Sequence, residues 1–201
     1  MKPTRERIRI RTFTDEAIRA IADDLARLRI TVFREWPYLY DGTLAYEAEY
    51  LAKFASSEGA IVVGAFDGDA MVGASTGSPM VGHADEFAEP FLAAGFDVGG
   101  LFYFGESVLL PDYRGLGLGH AFFDGREAHA RALGRFRHTT FCRVIRPDDH
   151  PSKPVDYAPL DPFWTKRGYA PLPGIVATYS WKDVGDAEET PHPMQFWMRA
   201  L

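Results

Sequence analysis

A cluster of glycines follows a β-prone segment in this sequence, and it is the part of the chain best suited to bind a ligand. The segment Leu101–Leu110 is apolar, and Gly115, Gly117 and Gly119 come shortly after it, at the start of a helical pattern. Glycines let the backbone approach a ligand closely, and the first N–H groups of a helix lack partners at the positive end of its dipole. We therefore predict an anion site here, with a phosphate or pyrophosphate as ligand. The alternative is a tight turn without a ligand, although each glycine would disfavour the helix start by roughly 1 kcal/mol.

The spacing narrows the kind of phosphate ligand. A Walker A loop requires Lys after its last glycine, and this chain has His120 there. A dinucleotide-binding fingerprint counted from Gly115 requires glycine at position 120, so neither motif is present. The run instead matches Arg-x-x-Gly-x-Gly, with Arg114, Gly117 and Gly119. This motif resembles the acetyl-CoA-binding motif of the GCN5-related N-acetyltransferases, the GNAT superfamily.

The resemblance implies how the cofactor binds. The pantetheine arm of acetyl-CoA would bond to the exposed backbone of Ser107, Val108 and Leu109, on a strand that splays from its neighbour. The pyrophosphate would be wrapped by Arg114, Gly115, Leu116, Gly117, Leu118, Gly119 and His120. An amine would then attack the thioester directly while a strand N–H stabilises the oxyanion. No metal is expected.

A second motif lies near the end of the chain. The run Phe163–Tyr169 resembles the signature of the last GNAT helix. Many members carry a tyrosine acid where this chain has Trp164, and the indole N–H does not titrate in the useful range. Tyr157, which stands where many members have asparagine, is a candidate acid for the CoA thiolate, and a structural role for it is equally open.

Glu106 is the candidate general base that would make the acceptor amine neutral. Alternation along the predicted strand puts Phe104, Glu106 and Val108 on one face, where the carboxylate would be semi-buried. The alternative is that Glu106 pairs with an arginine, such as Arg143 on the next strand.

Aromatic and basic residues are candidates for binding the acceptor. Trp36, Tyr38 and Tyr40 lie where the resemblance implies a variable acceptor loop, and they could equally form the core of that loop. Arg143 and Arg146 favour an acceptor that carries a carboxylate or another anion besides its amine.

Composition excludes several classes of protein. The chain has 201 residues, 46% of them hydrophobic and 25% charged, which indicates one folded domain over residues 1–201. A net charge of −6 argues against a nucleic-acid partner. The single cysteine, Cys142, fits a reducing, cytoplasmic location. Neither a signal peptide nor a membrane span is expected. A homodimer is compatible with the sequence, which does not define the oligomeric state.

The hydrophobic pattern predicts the order β-α-α-β-β-(α)-β-α-β-α-β-β. Thr14 is expected to cap a five-turn helix that reaches Val32, and residues 82–99 are expected to form a helical insertion that ends near Gly95. This order indicates an α/β class. The resemblance implies the GNAT (acyl-CoA N-acyltransferase) fold, a mixed, mostly antiparallel sheet flanked by helices on both faces.

The sequence favours an acetyl-CoA-dependent N-acetyltransferase that acts on a small-molecule amine in a ternary complex. One alternative is a CoA-binding regulatory module without catalysis, which Trp164 keeps open. Another is a protein or peptide N-acetyltransferase, which needs an open groove, whereas residues 33–44 and 82–99 are bulky enough to close one side.

Overall fold

The computed structural model describes residues 3–83 and 85–201. The strands are β1 (Ile8–Thr14), β2 (Ile61–Asp67), β3 (Ala70–Pro79), β4 (Leu101–Tyr103), β5 (Ser107–Leu109), β6 (His138–Val144), β7 (Ala170–Trp181) and β8 (Thr190–Ala200). The α-helices are α1 (Glu16–Arg19), α2 (Ala22–Phe33), α3 (Leu44–Ala55), α4 (Asp85–Ala93), α5 (Leu118–Ala132) and α6 (Asp161–Lys166).

The strands form one mixed sheet in the order β1-β2-β3-β4-β6-β8-β7, and β5 pairs separately with β3. Only the β4–β6 pair is parallel among the described strands. Helices α2 and α3 bury apolar side chains on one face of the sheet, while α5 packs on the other. The predicted class and sheet type are therefore confirmed. No helix in the described part of the chain is both long and apolar enough to span a membrane.

The predicted first helix is divided in two, and Thr14 does not cap it. Thr14 is the last residue of β1, where it pairs with Ile61, and Asp15 makes the turn with a φ of 50°. Helix α1 ends after one turn, and α2 begins after Ile21. Both short helices still bury apolar side chains in one cluster, which is why the periodic pattern did not reveal the break.

The predicted strand Leu101–Leu110 is also interrupted. Thr76 of β3 lies opposite two residues, because Gly105 donates its N–H to the Thr76 carbonyl and the Thr76 N–H donates to the Glu106 carbonyl. A Cβ on Gly105 would lie 2.6 Å from Thr76 Oγ1, so only glycine fits there. Two residues against one is the pattern of a β-bulge, which bends the strand and shifts its alternation.

Because of the interruption, side chains do not alternate between the two faces of the sheet as the sequence predicted. Phe104 is buried in the cluster beneath α5, whereas Val108 is buried on the opposite face with α2 and α3. Phe104 and Val108 therefore do not share a face. Glu106 contacts α2, on the Val108 side.

A helix lies within the predicted range 82–99. Helix α4 is followed by Gly95 with a φ of 79°, as expected for a helix stop. It packs on the sheet through Phe91, whose ring centroid is 4.7 Å from that of Phe196 on β8. Leu92, the next residue, points outward and is 57% exposed.

Substitution of this pair tests whether α4 is docked. We expect Phe91→Ala to lower the free energy of unfolding by about 3–5 kcal/mol, because it removes a fully buried ring. Leu92→Ala should change it by less than about 0.5 kcal/mol. Urea unfolding of both variants measures the difference. Equal small effects would mean that α4 does not pack on the sheet.

Candidate functional site

The glycine loop has the backbone geometry of an anion site. Gly115 and Gly117 have φ values of 80° and 75°, a left-handed conformation that suits glycine, and Gly117 immediately precedes α5. Within the described residues, the N–H groups of Gly115, Leu116 and Gly117 donate to no other backbone carbonyl. They surround the positive end of a 15-residue helix. A Cβ on Gly119 would meet the ring of Phe163 at 3.3 Å, so this position also favours glycine.

Two cationic side chains flank the loop. Arg114 pairs with Glu35 at 2.7 Å, and both side chains are about half exposed. Arg167, at the end of α6, reaches His120 Nδ1 at 3.2 Å and also pairs with Asp124 of α5 at 2.7 Å. Both arginines are therefore close enough to attract a pyrophosphate, although each is already partly neutralised.

One backbone edge of β5 is unpaired among the described strands. Phe104 donates its N–H to the Thr140 carbonyl, and this is the last backbone link between the interrupted strand and β6. Beyond it β5 pairs only with β3 and residues 141–144 of β6 pair only with β8, among the described strands. The edge of Ser107, Val108 and Leu109 that faces away from β3 therefore pairs with no described strand, and the role of these residues in binding a cofactor stays a prediction.

Arg126 of α5 holds the interruption in place, and the sequence analysis missed it. Its guanidinium is buried and donates to the carbonyls of Thr76 and Glu106, at 3.1 and 3.0 Å, and to Ser107 Oγ at 2.8 Å. Burial lowers the pKa of Arg126 to about 9, which leaves the group charged at neutral pH. One feature of the sequence could have revealed this role. Arg126 is a charged residue in a stretch of α5 with the buried Phe122 and Phe123 before it and the buried Ala130 after it.

A cavity of about 720 Å³ begins beside Glu106 and extends between α2, α3, α4 and β7. We call it the aromatic cavity, because rings make up much of its wall: Tyr38, Tyr40, Tyr46, Tyr50, Phe87 and Tyr179. Tyr38 and Tyr40 thus line a cavity, and their role in binding an acceptor stays a prediction. Trp36 is not in this wall and packs instead against His150 and Tyr157, with ring centroids 5.0 and 6.0 Å away.

Three buried charges from three elements meet at the floor of the aromatic cavity. Arg29 of α2 donates through Nε to Glu47 of α3 and lies 2.6 Å, through Nη1, from Glu106 Oε2. Burial opposes its charge, but the carboxylates of Glu106 and Glu47 raise the pKa of Arg29 well above its ordinary value. Tyr50 donates to Glu106 Oε2 at 3.5 Å. We call Arg29, Glu47 and Glu106 the charge triad.

Glu106 does pair with an arginine, as the alternative held, but the partner is Arg29 and not Arg143. Arg143 lies 3.3 Å from Asp161 of α6 and is not among the residues lining the aromatic cavity. Arg146 forms a two-pronged pair with Asp183, at 2.6 and 2.8 Å, and donates to two backbone carbonyls. Neither arginine lines the aromatic cavity, so this cavity gives no support to the prediction that they bind an anion on the acceptor.

Of the remaining predicted groups, Tyr157 is not among the residues lining the aromatic cavity, and Cys142 lines it as a neutral thiol. Tyr157 is half-buried against Trp36, and burial raises its pKa. Cys142 lines the aromatic cavity, where its sulfur lies 3.1 Å from the Tyr103 hydroxyl and burial raises its pKa to about 12, so it is a neutral thiol. No group of metal-ligand side chains occurs in residues 3–83 and 85–201.

Comparison with solved structures identifies the architecture. A GNAT-superfamily phosphinothricin acetyltransferase from Sinorhizobium meliloti, solved with acetyl-CoA, is 19% identical to this chain. The match covers 97% of this chain and 89% of that chain, with a TM-score of 0.57. This chain has the GNAT fold. At such an identity the similarity establishes the fold, and the activity has to be argued from the residues.

Other structures with the same fold extend the comparison. A ribosomal-protein-alanine N-acetyltransferase from Brucella melitensis is 13% identical, with 96% of this chain and 99% of that chain covered and a TM-score of 0.60. An acetyltransferase from Thermus thermophilus is 15% identical, with both chains fully covered, at 100%, and a TM-score of 0.56. No protein-family model and no curated protein sequence matches the chain. The GNAT fold is thus recognised through structure and through the glycine motif.

His83 in the cavity wall gives a pH-dependent prediction. Its Nε2 lies 2.7 Å from Ser78 Oγ, and burial lowers its pKa from 6.5 to about 4. Between these values the unfolded chain binds a proton that the folded chain does not, so stability falls as the pH is lowered. We expect His83→Gln to reduce this loss by up to about 1.4 kcal/mol per pH unit. Urea unfolding at pH 4.5–6.5 measures the effect. At pH 7–8 the difference in free energy of unfolding between the parent and the variant should not change with pH. An unchanged acid slope would contradict it.

Proposed function

We propose that this protein is an acetyl-CoA-dependent N-acetyltransferase that acts on a small-molecule amine. The observation that carries the proposal is that three features adjoin along the chain. The glycine loop lies at the start of α5, the free edge of β5 precedes it, and Glu106, which lines the aromatic cavity, comes immediately before β5. A phosphate-bearing cofactor with a long arm fits the first two features, and an acceptor fits the third.

The proposed reaction is direct transfer in a ternary complex. The amine nitrogen attacks the thioester carbonyl, the new C–N bond forms as the C–S bond breaks, and CoA leaves as its thiolate. A backbone N–H at the interruption between β4 and β5 would stabilise the oxyanion, because the bulge turns backbone groups away from regular pairing. The cofactor-binding residues are those named in the sequence analysis, from Ser107 to Leu109 and from Arg114 to His120.

Glu106 is the proposed base. Its Oε2 atom is held by Arg29 and Tyr50, while Oε1 has no hydrogen-bond partner within the described residues. One oxygen therefore orients the carboxylate and the other is left to accept a proton from the amine. Tyr157 is the proposed acid for the thiolate. Burial raises its pKa, so it holds a proton at neutral pH.

A CoA-binding module without catalysis is the second candidate. Trp164, in the position of the usual tyrosine, packs between Phe141 and Trp197 with ring centroids 5.0 and 5.3 Å away, so it has a structural role. Release of CoA thiol in the presence of a panel of amines separates the two candidates. The module would bind acetyl-CoA and release none.

Acetyl-CoA should raise the melting temperature of the protein, because it binds the folded state. Gly117→Val should abolish this shift, since a β-branched residue does not adopt a φ of 75° and the anion site would be lost. Gly134→Val is the matched control, because Gly134 has a φ of 70° at the other end of α5. Gly134→Val should be destabilised to a similar extent, and acetyl-CoA should still raise its melting temperature. A normal shift in Gly117→Val would put the cofactor elsewhere.

Glu106→Gln tests the proposed base. The variant keeps the size of the side chain but cannot accept the proton, so turnover should fall by roughly 10²–10⁴ at neutral pH with unchanged acetyl-CoA affinity. The loss should shrink as the pH approaches the pKa of the free amine, because the acceptor then arrives deprotonated. Rates across pH 6–10 measure this. If the ratio of the variant's turnover rate to the parent's stays constant with pH, Glu106 only anchors Arg29.

A further inference from the structure

The charges at the floor of the aromatic cavity do not balance. The charge triad contains two carboxylates, Glu47 and Glu106, and one guanidinium, Arg29. The three side chains are 0%, 2% and 9% exposed, respectively, so water does little to screen them. A buried charge is stable only when it is paired, so the triad leaves one negative charge to be neutralised.

The unmatched charge corresponds to unused hydrogen-bond acceptors. Oε1 of Glu47 and Oε1 of Glu106 are both buried and accept no hydrogen bond within the described residues. Glu106 also lines the aromatic cavity. The floor therefore has a place for a donor that carries positive charge.

The other titratable groups of the cavity do not supply that donor. Lys182 is already paired with an aspartate at 2.8 Å, and Lys53 is exposed and forms no ion pair among the described residues. Burial lowers the pKa of His83 to about 4, so it is neutral at physiological pH. Burial, the nearby carboxylate of Glu47 and a hydrogen bond to it raise the pKa of Tyr40, and burial raises the pKa of Tyr50, so both hydroxyls stay neutral and neither supplies a positive charge.

The walls suit an apolar body with one charged end. A volume of about 720 Å³ is much larger than a small alkylamine needs and lies in the range of sites for ring-containing ligands. The wall rings can stack on an aromatic group and attract an ammonium through their faces. Arg29, 4.3 Å from the centroid of the Tyr50 ring, already makes such a contact.

We propose that the acceptor is a monocationic primary amine on an aromatic or similarly bulky apolar body, bound with its ammonium at Glu106. This inference rests on the proposed function and specifies its substrate. A carboxylate next to the amine would lie against Glu106 and Glu47 and be repelled.

A polyamine has further ammonium groups, which would lose water against the rings. The other carboxylates of the cavity offset this loss only weakly, because Asp41 is already paired with Arg34 and Lys182. Glu188 and Glu189 are exposed, where water screens an ion pair.

Calorimetric titration of the CoA-saturated protein tests the proposal without requiring turnover. The probes are 2-phenylethylamine, its neutral counterpart 2-phenylethanol, phenylalanine and spermidine. We expect 2-phenylethylamine to bind at least tenfold more tightly than each of the others. In Glu106→Gln the preference for the amine over the alcohol should fall to less than about threefold. Glu16→Gln, which changes an acid that is 82% exposed on α1, should keep the parent preference.

The outcomes separate this inference from the proposed function. Equal binding of amine and alcohol by the parent protein, or tighter binding of phenylalanine or spermidine, would overturn the inference, and this comparison stands even if Glu106→Gln does not fold. The proposed function fails on a different readout, the absence of a melting shift with acetyl-CoA or of CoA release with every amine. Selective amine binding without CoA release would support the acceptor class while rejecting the transferase.

Discussion

The carbonyl groups of Thr76 and Glu106 lie inside the protein, where each accepts one backbone hydrogen bond and a second one from the guanidinium of Arg126. A hydrogen bond from a charged donor contributes roughly 1.5–3 kcal/mol, so Arg126 reinforces the backbone pairing around the bulge at Gly105. The rings of Phe104 and Phe123 lie 4.1 and 4.9 Å from its charge and add cation–π attraction. Arg126 projects from α5, so the helix that carries the anion site at its start also supports the strand interruption.

The interruption explains why the two halves of the candidate site adjoin. Without it, the strand would continue along β6 and no backbone edge would be free for a cofactor arm. The shift in alternation also turns Glu106 toward α2, where it meets Arg29, rather than toward the cluster under α5 that holds Phe104. One extra residue in a strand therefore creates both an open edge and a buried carboxylate at the mouth of the aromatic cavity.

The charge triad links elements that are far apart in the sequence. Arg29, Glu47 and Glu106 belong to α2, α3 and the strand interruption, and each helix is held by apolar contacts on the same face of the sheet. Because removal of one partner would leave a charge buried and unpaired, the positions of the two helices and the strand depend on one another. The walls of the aromatic cavity, built by α2, α3 and α4, are consequently coupled to the carboxylate at its floor.

Local chemistry determined much of this protein from the sequence alone. A glycine loop followed by a helix start is a local pattern, so the loop and α5 could be predicted from neighbouring residues. Pairing between charges is not local. Arg143 was suggested as a partner for Glu106 because it lies on the next predicted strand, whereas Arg29, which is 77 positions before Glu106, is the partner. Only the tertiary structure could decide this, because the bulge reverses which face a side chain occupies and the packing of α2 brings Arg29 to that face.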